Sequence, residues 1–275
     1  MLLSNYETHQ FPNPLLPFIY HPFYCLTQQE IDTNWHKNIE ILCCFQGKGY
    51  VRCGGEVYDF TENDIVVVNS DLLHTVGSST CVAYCCFIVG SSFCIENGIR
   101  TEELVFHNVI RDGVILERMK EIAHIHNTFD SRDPCAVADY RYAALGILRR
   151  LCREHSSPRT GNPADFSSVY IKKAITYIRT NLTKKLSLDD IADHIGISKF
   201  YLSREFKKLT GNTVVSFINI LRCSEAKRLM EKGMSVSSAA YACGFENLSY
   251  FSRTFQRIIG VPPSSYSPKN RSISS

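Results

Sequence analysis

The sequence predicts an α+β protein of two domains: an N-terminal antiparallel β-barrel or jelly roll with two helices, then an all-α domain of two helix-turn-helix modules joined by a long helix. Three observations predict this. Residues 39–89 fall into short extended runs with no helix-length segment between them, which favours hairpin pairing. Two segments of helical period follow. A self-similar stretch then recurs after 48–49 residues, in a part of the chain whose charge differs sharply from the rest.

The chain has 275 residues, 44% hydrophobic and 21% charged, which excludes disordered and collagen-like classes. At roughly 100–200 residues per domain, two cores are expected. Cys81–Val89, the longest apolar stretch, falls far short of the roughly 20 residues that cross a bilayer, so no membrane partner is expected. Met1–Glu7 lacks a basic region before an apolar core; this reads as no secretory signal and points to the cytoplasm. The 12 cysteines are then expected to be reduced, buried thiols. Cys43-Cys44 and Cys85-Cys86 are adjacent pairs whose members point to opposite strand faces, so a cysteine zinc site is not expected.

In the first domain, residues 1–155, the extended runs are Ile39–Phe45, Tyr50–Cys53, Glu56–Phe60, Ile65–Val68 and Thr80–Val89. Gly47-Lys48-Gly49 and Gly54-Gly55 stand between runs at hairpin spacing, and closure into a barrel removes exposed edges. Val114, Glu117-Arg118, Ile122 and Ile125 then fit one helix face, and Tyr140, Ala143-Ala144, Ile147-Leu148 and Leu151 fit a second. The second stripe is expected to join two copies into a homodimer; packing on its own barrel is the other arrangement the period allows. Ser156–Pro163 is rich in breakers, and residues 156–166 are expected to be a linker.

Residues 1–166 carry 13 Lys+Arg against 20 Asp+Glu, a net of −7, whereas residues 167–275 carry 17 against 7, a net of +10. The basic part calls for a polyanion. It also holds the repeat: Ala192-x3-Gly196 with Leu202-Ser203-Arg204-Glu205-Phe206-x4-Gly211, then Ala240-x3-Gly244 with Phe251-Ser252-Arg253-Thr254-Phe255-x4-Gly260. A small Ala permits close helix approach and a Gly four residues on supplies a positive-φ turn, the pattern of a helix-turn-helix. The modules span about 187–211 and 235–260, after a leading helix with Ile171, Ile175, Ile178 and Leu182 on one stripe. Ser187-Leu188-Asp189-Asp190 reads as a capping box, and Ser198 caps the next helix. Thr213–Lys232 forms the connecting helix. Twenty residues span about 30 Å, near the roughly 34 Å between successive major grooves on one face of B-DNA. Double-stranded DNA is therefore the expected partner, with Arg204 and Arg253 as base readers and Lys207, Lys208 and Arg257 on phosphates.

These residues resemble the DNA-binding domain of AraC/XylS-family transcriptional regulators over about residues 167–268. The resemblance rests on Leu188-Asp189-Asp190-Ile191-Ala192, on Phe206-Lys207-Lys208-x2-Gly211, and on the run from Ala240 to Phe255 ending in Gly260-Val261-Pro262-Pro263-Ser264-Ser265-Tyr266. It implies that both reading helices bind an asymmetric promoter site. Carried onto this chain, the base-contacting positions are Phe200, Ser203 and Arg204, then Ser249, Ser252 and Arg253; Ser198 and Asn247 join the phosphate contacts. Phe200 and Leu248 offer no hydrogen bond, which favours apolar contact there, as with thymine methyls.

The first domain also looks like the cupin effector domain common in that family. His36-x3-Glu40-x6-Gly47 follows the spacing of one cupin motif and Asp64 through Asn69 to His74 resembles the second, with Asn34 where metal cupins carry a further histidine. The resemblance implies a small organic effector held without a cofactor, in a pocket drawn from Trp35, His36, Glu40, Tyr50, Tyr58, His74 and Tyr84. The expected function is a promoter-binding regulator, an activator responsive to that effector, with RNA polymerase as a further partner. The alternative is a metal-dependent cupin enzyme fused to a DNA-binding domain, with His36, Glu40 and His74 as ligands. A third reading, a cysteine redox sensor, rests on the cysteine count alone.

Overall fold

A computed structural model describes residues 9–30, 33–159 and 166–266. The chain divides at about residue 165 into two compact units. Among the described residues no helix is long and apolar enough to cross a membrane.

The first unit is built on an antiparallel sheet: β1 (Phe18–Glu30), β2 (Ile39–Cys53), β3 (Glu56–Thr61), β4 (Ile65–Val68), β5 (His74–Val89) and β7 (Val109–Ile110). The strand order is β1-β5-β2-β4-β7, with β3 also paired to β2. The sheet is buried on both faces. Ile39, Ile41, Cys43, Val67, Cys85 and Phe87 pack toward helices α2 (Gly113–Thr128) and α3 (Ala136–Glu154). The residues between them, Leu42, Cys44, Val66, Val68, Tyr84 and Cys86, form a second cluster on the opposite face. Strands without a solvent face read as unbroken apolar runs, not as alternation.

Three differences from the expected strand layout have physical causes. Strand β1 is absent from the expected runs because Pro22 and the polar Thr27-Gln28-Gln29 tail break its pattern. Gly47-Lys48-Gly49 is not a turn: β2 runs through it, with ladder irregularities from Cys44 to Tyr50. Gly47 has φ +86°, and a Cβ there would strike the Cys81 carbonyl, so glycine serves a close backbone approach at a bulge. Gly54-Gly55, both at positive φ, does form the hairpin turn between β2 and β3. Finally, Ser156–Pro158 of the expected linker is a strand, β8, paired with β6 (Leu104–Phe106), and the Arg159 amide donates to the Glu103 carbonyl at 2.8 Å.

Helix α2 begins at Asp112, whose Oδ1 accepts from the amides of Val114 and Ile115. Its Oδ2 lies 2.7 Å from Arg150 Nε and 2.8 Å from His155 Nε2. Burial alone would raise this carboxyl's pKa, but the hydrogen bonds from His155, Arg150 and the two amides prevail and bring it down to about 2. The inward stripe of α2 is Ile115, Met119 and Ile122, one residue round from the expected face, and Val114 is 52% exposed. Tyr140, Ala144, Ile147 and Leu151 of α3 are all buried within this unit. The stripe expected to pair two chains is thus used inside one, which corrects the expected dimer contact.

The second unit is helical: α4 (Phe166–Thr180), α5 (Leu188–Ile195), α6 (Lys199–Thr210), α7 (Val214–Glu231), α8 (Val236–Ala242) and α9 (Leu248–Ile259). A short α1 (Ser91–Glu96) belongs to the first unit. Local signals set the boundaries. Ser187 and Asp190 form a reciprocal capping box at α5, and Ser198, Thr213, Ser235 and Asn247 cap the helices that follow them. Gly196 takes φ +77° at the α5–α6 turn. Gly244 takes φ +85°, and a Cβ on it would crowd the carbonyls of Leu182 and Thr183. Ala192 and Ala240 are buried at the expected helix contacts. At 18 residues, α7 is about 27 Å long.

Candidate functional site

Helices α6 and α9 end their inward stripes early and turn the rest of their circumference outward. Leu202, Phe206 and Leu209 are buried on α6, as are Phe251 and Phe255 on α9. The opposite faces present Ser203, Arg204, Lys207 and Lys208 on α6, and Ser249, Arg253 and Arg257 on α9, all exposed, with Ser252 half-buried. Phe200 is 78% exposed, a large apolar ring held at the surface. Leu248 stands at the same place on α9 and is 36% exposed. The two faces thus carry matching sets: an apolar residue, small hydroxyls, an arginine one turn on, and cations toward the C-terminus.

Arg204 is tethered. Its Nε donates to Glu205 Oε1 at 2.8 Å, while the guanidinium carbon lies 5.5 Å from the Tyr201 ring centre. Glu205 is itself buried, so this exposed arginine has a fixed acidic anchor. Arg253 folds back along its helix, Nε donating to the Ser249 carbonyl at 3.3 Å. Ser198 Oγ accepts from the Tyr201 amide at 3.2 Å and Asn247 Oδ1 from the Tyr250 amide at 2.8 Å. These two oxygens are therefore occupied as caps, and it is the amides at the helix starts beside them that face outward toward an anion.

Two residues that hold these helices were not singled out from sequence. Asn219 of α7 donates through Nδ2 to the Tyr250 hydroxyl at 2.8 Å. Arg222, one turn on, donates through Nε to the Leu182 carbonyl at 2.9 Å and through Nη2 to the Lys184 carbonyl at 2.7 Å. The signal was present as polar residues interrupting the apolar stripe of Val214, Ile218 and Leu221.

In the first unit, a cavity of about 150 Å³ is lined in part by His21, Tyr24, Glu40, His74, Tyr84 and Cys86. Of the expected effector residues, Glu40, His74 and Tyr84 line it, and His36 joins through Glu40: Glu40 Oε2 lies 3.2 Å from both His36 Nε2 and His74 Nε2. Burial by itself would raise the Glu40 pKa, but its contacts with His36 and His74 hold it well below the usual carboxylate range. The other expected liners lie elsewhere. Trp35 is buried outside this lining, the Tyr50 ring covers Gly77, and Tyr58 is 37% exposed on β3. Asp64 and Asn69 are structural: Asp64 receives the Thr61 amide and Arg111, and Asn69 exchanges two hydrogen bonds with the Phe106 backbone. A second cleft of about 380 Å³ lies between the sheet and α2, with Tyr20, Cys43, Cys85 and Met119 in its largely apolar wall.

The cysteines are not uniformly buried. Cys25, Cys81 and Cys135 are exposed and all twelve are free thiols; Cys25 and Cys81 bring their sulfurs to 3.8 Å. As expected of adjacent strand residues, Cys43 and Cys85 face one side of the sheet and Cys44 and Cys86 the other.

Residues 17–125 match the AraC-like ligand binding domain and residues 191–269 the family described as helix-turn-helix domain. The HTH-type transcriptional activator AarP of Providencia stuartii is 36% identical over 102 residues, covering 37% of this chain and 76% of AarP. The HTH-type transcriptional activator RhaR of Shigella dysenteriae is 21% identical over 262 residues, covering 88% of this chain and 89% of RhaR. Among solved structures, ToxT from Vibrio cholerae aligns with 91% of this chain and 96% of its own at 17% identity and a TM-score of 0.46.

Proposed function

The chain belongs to the AraC family of transcriptional regulators, and from that premise we propose that it activates transcription by reading an asymmetric promoter site with α6 and α9 while its first unit holds a small organic effector. The observation that carries this reading is the doubled outward face, Phe200-Ser203-Arg204 and Leu248-Ser249-Ser252-Arg253, in the part of the chain with a net charge of +10. Arg204 and Arg253 donate to base edges, where a bidentate contact to guanine discriminates by roughly 1–3 kcal/mol. Phe200 and Leu248 make apolar contact beside them. Lys207, Lys208, Arg257 and the α6 and α9 amide ends meet phosphates.

The effector sits in the cavity bounded by Glu40, His74 and Tyr84. The reading extends to a homodimer, whose contact uses surfaces other than the buried α3 stripe, to RNA polymerase as the partner recruited at the promoter, and to the cytoplasm as the compartment. It is a regulator and not an enzyme.

Selection of sites from random duplexes with the full chain, followed by titration of variants, tests the core of this reading. Arg204→Ala and Arg253→Ala should each cost roughly 1–3 kcal/mol on the selected site and relax preference at one base pair. Lys208→Ala should weaken all duplexes alike. Equal, sequence-independent losses for all three variants would remove the assignment of base readers.

A further inference from the structure

The three side chains at the cavity wall, His36, Glu40 and His74, present an unusual electrostatic arrangement. His36 Nδ1 lies 3.0 Å from the Asn38 carbonyl oxygen, and His74 Nδ1 lies 3.0 Å from the Leu72 carbonyl oxygen. Each carbonyl only accepts, so each Nδ1 carries the proton. A neutral imidazole with its proton on Nδ1 has a lone pair on Nε2. Both Nε2 atoms nevertheless face Glu40 Oε2 at 3.2 Å. Three electron-pair donors therefore converge, all within 4.8 Å of one another, and a cation must sit among them.

Two protons on the imidazoles would meet that need, but at the cost of placing imidazolium rings side by side out of water. The His36 and His74 ring centres are 5.0 Å apart, and a third imidazole, His9, lies 4.7 Å from His36. His36 and His74 are 1% and 4% exposed. A single metal ion satisfies the same three lone pairs while both rings stay neutral. The surroundings are built for it: the backbone carbonyls fix both ring orientations, and the Cys86 thiol donates to Glu40 Oε1 at 3.1 Å, leaving Oε2 to face the histidines. Such outer contacts orient metal ligands in known sites. The adjoining cavity leaves further coordination positions open.

The structure assigns to His36, Glu40 and His74 a binding site for one divalent first-row transition ion, since two imidazoles and one carboxylate suit zinc, iron(II) or cobalt(II) better than calcium or magnesium. The ion joins the segment before β2, β2 itself and the start of β5. This assignment is separate from the DNA reading, which stands or falls on duplex titrations.

The experiment uses the full chain carrying Cys25→Ser and Cys81→Ser, because the exposed thiol pair is itself a zinc trap. Protein stripped with chelator is titrated with Zn²⁺ alone, and in parallel with Co²⁺ while the visible spectrum is recorded. One equivalent of zinc per chain is expected, with a cobalt spectrum free of thiolate charge transfer. Glu40→Gln should weaken zinc binding by more than about 100-fold, beyond the 10–100-fold of outer-shell changes. Uptake below about a tenth of an equivalent, a thiolate band in the cobalt spectrum, or undiminished binding in a folded Glu40→Gln would each overturn the assignment. Should Glu40→Gln not fold, the stoichiometry and the cobalt spectrum of the chain with Glu40 intact decide alone.

Discussion

Asn219 and Tyr250 are joined by a hydrogen bond of 2.8 Å, amide to hydroxyl, so the helix between the two modules grips the second reading helix one turn from its start. Asn219 is buried. Removing its acceptor strands an amide away from water, which costs about 1–3 kcal/mol. Tyr250→Phe should lower the unfolding free energy by that amount in urea titration. Affinity for the selected site should fall more than affinity for random duplex, because the rotation of α9 about its axis is less well fixed.

The second unit should bind DNA with steep dependence on salt. With roughly six phosphates neutralised, log affinity plotted against log salt should have a slope near −5. Filter binding or anisotropy across a salt series measures it, and a slope near zero would contradict phosphate contact by Lys207, Lys208 and Arg257.

Asp112 should make the first unit sensitive to acid. Its carboxyl is lowered from 3.8 to about 2 by His155, Arg150 and the α2 amides. A depressed carboxylate contributes stability that is complete above its unfolded value and is lost as pH falls from about 4 toward about 2, here about 2 kcal/mol. Asp112→Asn should remove that portion of the acid transition and lower stability at neutral pH. Thermal melts across pH check both.

Ile147→Glu now has a different expected outcome from that of a dimer-breaking change. Ile147 is fully buried among the sheet and α2. An unpaired carboxylate there should cost more than about 4 kcal/mol and unfold the first unit. Circular dichroism and sedimentation distinguish this from a folded monomer, which would mean that the stripe faces another chain after all.

The second unit was the more legible half. Its boundaries are written in neighbouring residues: Ser187 with Asp190, Ser198 before α6, Gly196 and Gly244 at the turns. The 48–49-residue repeat then fixed which helices are equivalent. The first unit depends on contacts distant in sequence. The hydrophobic period of α3 identified a buried face without identifying what covers it. Gly47 looked like a turn because a close approach to Cys81 leaves no mark near residue 47. His36 and Glu40 stood out through their spacing, but the role of His74 required the register that places it beside them, including the Asn34–His74 bridge. Tyr58 and Trp35 were named for residue type alone, and type does not say which side of a strand opens into a cavity.

Helix α7 also decides how the two DNA contacts combine. A stiff rod of about 27 Å fixes both the separation and the angular phase of the modules. Once α6 is seated, α9 searches a small volume and docks at a high local concentration, so two individually weak contacts add up to one tight complex. The same stiffness removes tolerance. One extra base pair between the two half-sites turns the second groove by about 35°, and a rod, unlike a flexible tether, cannot follow. Such a promoter would hold the protein by one module at a time, with the avidity lost although every base contact remained available.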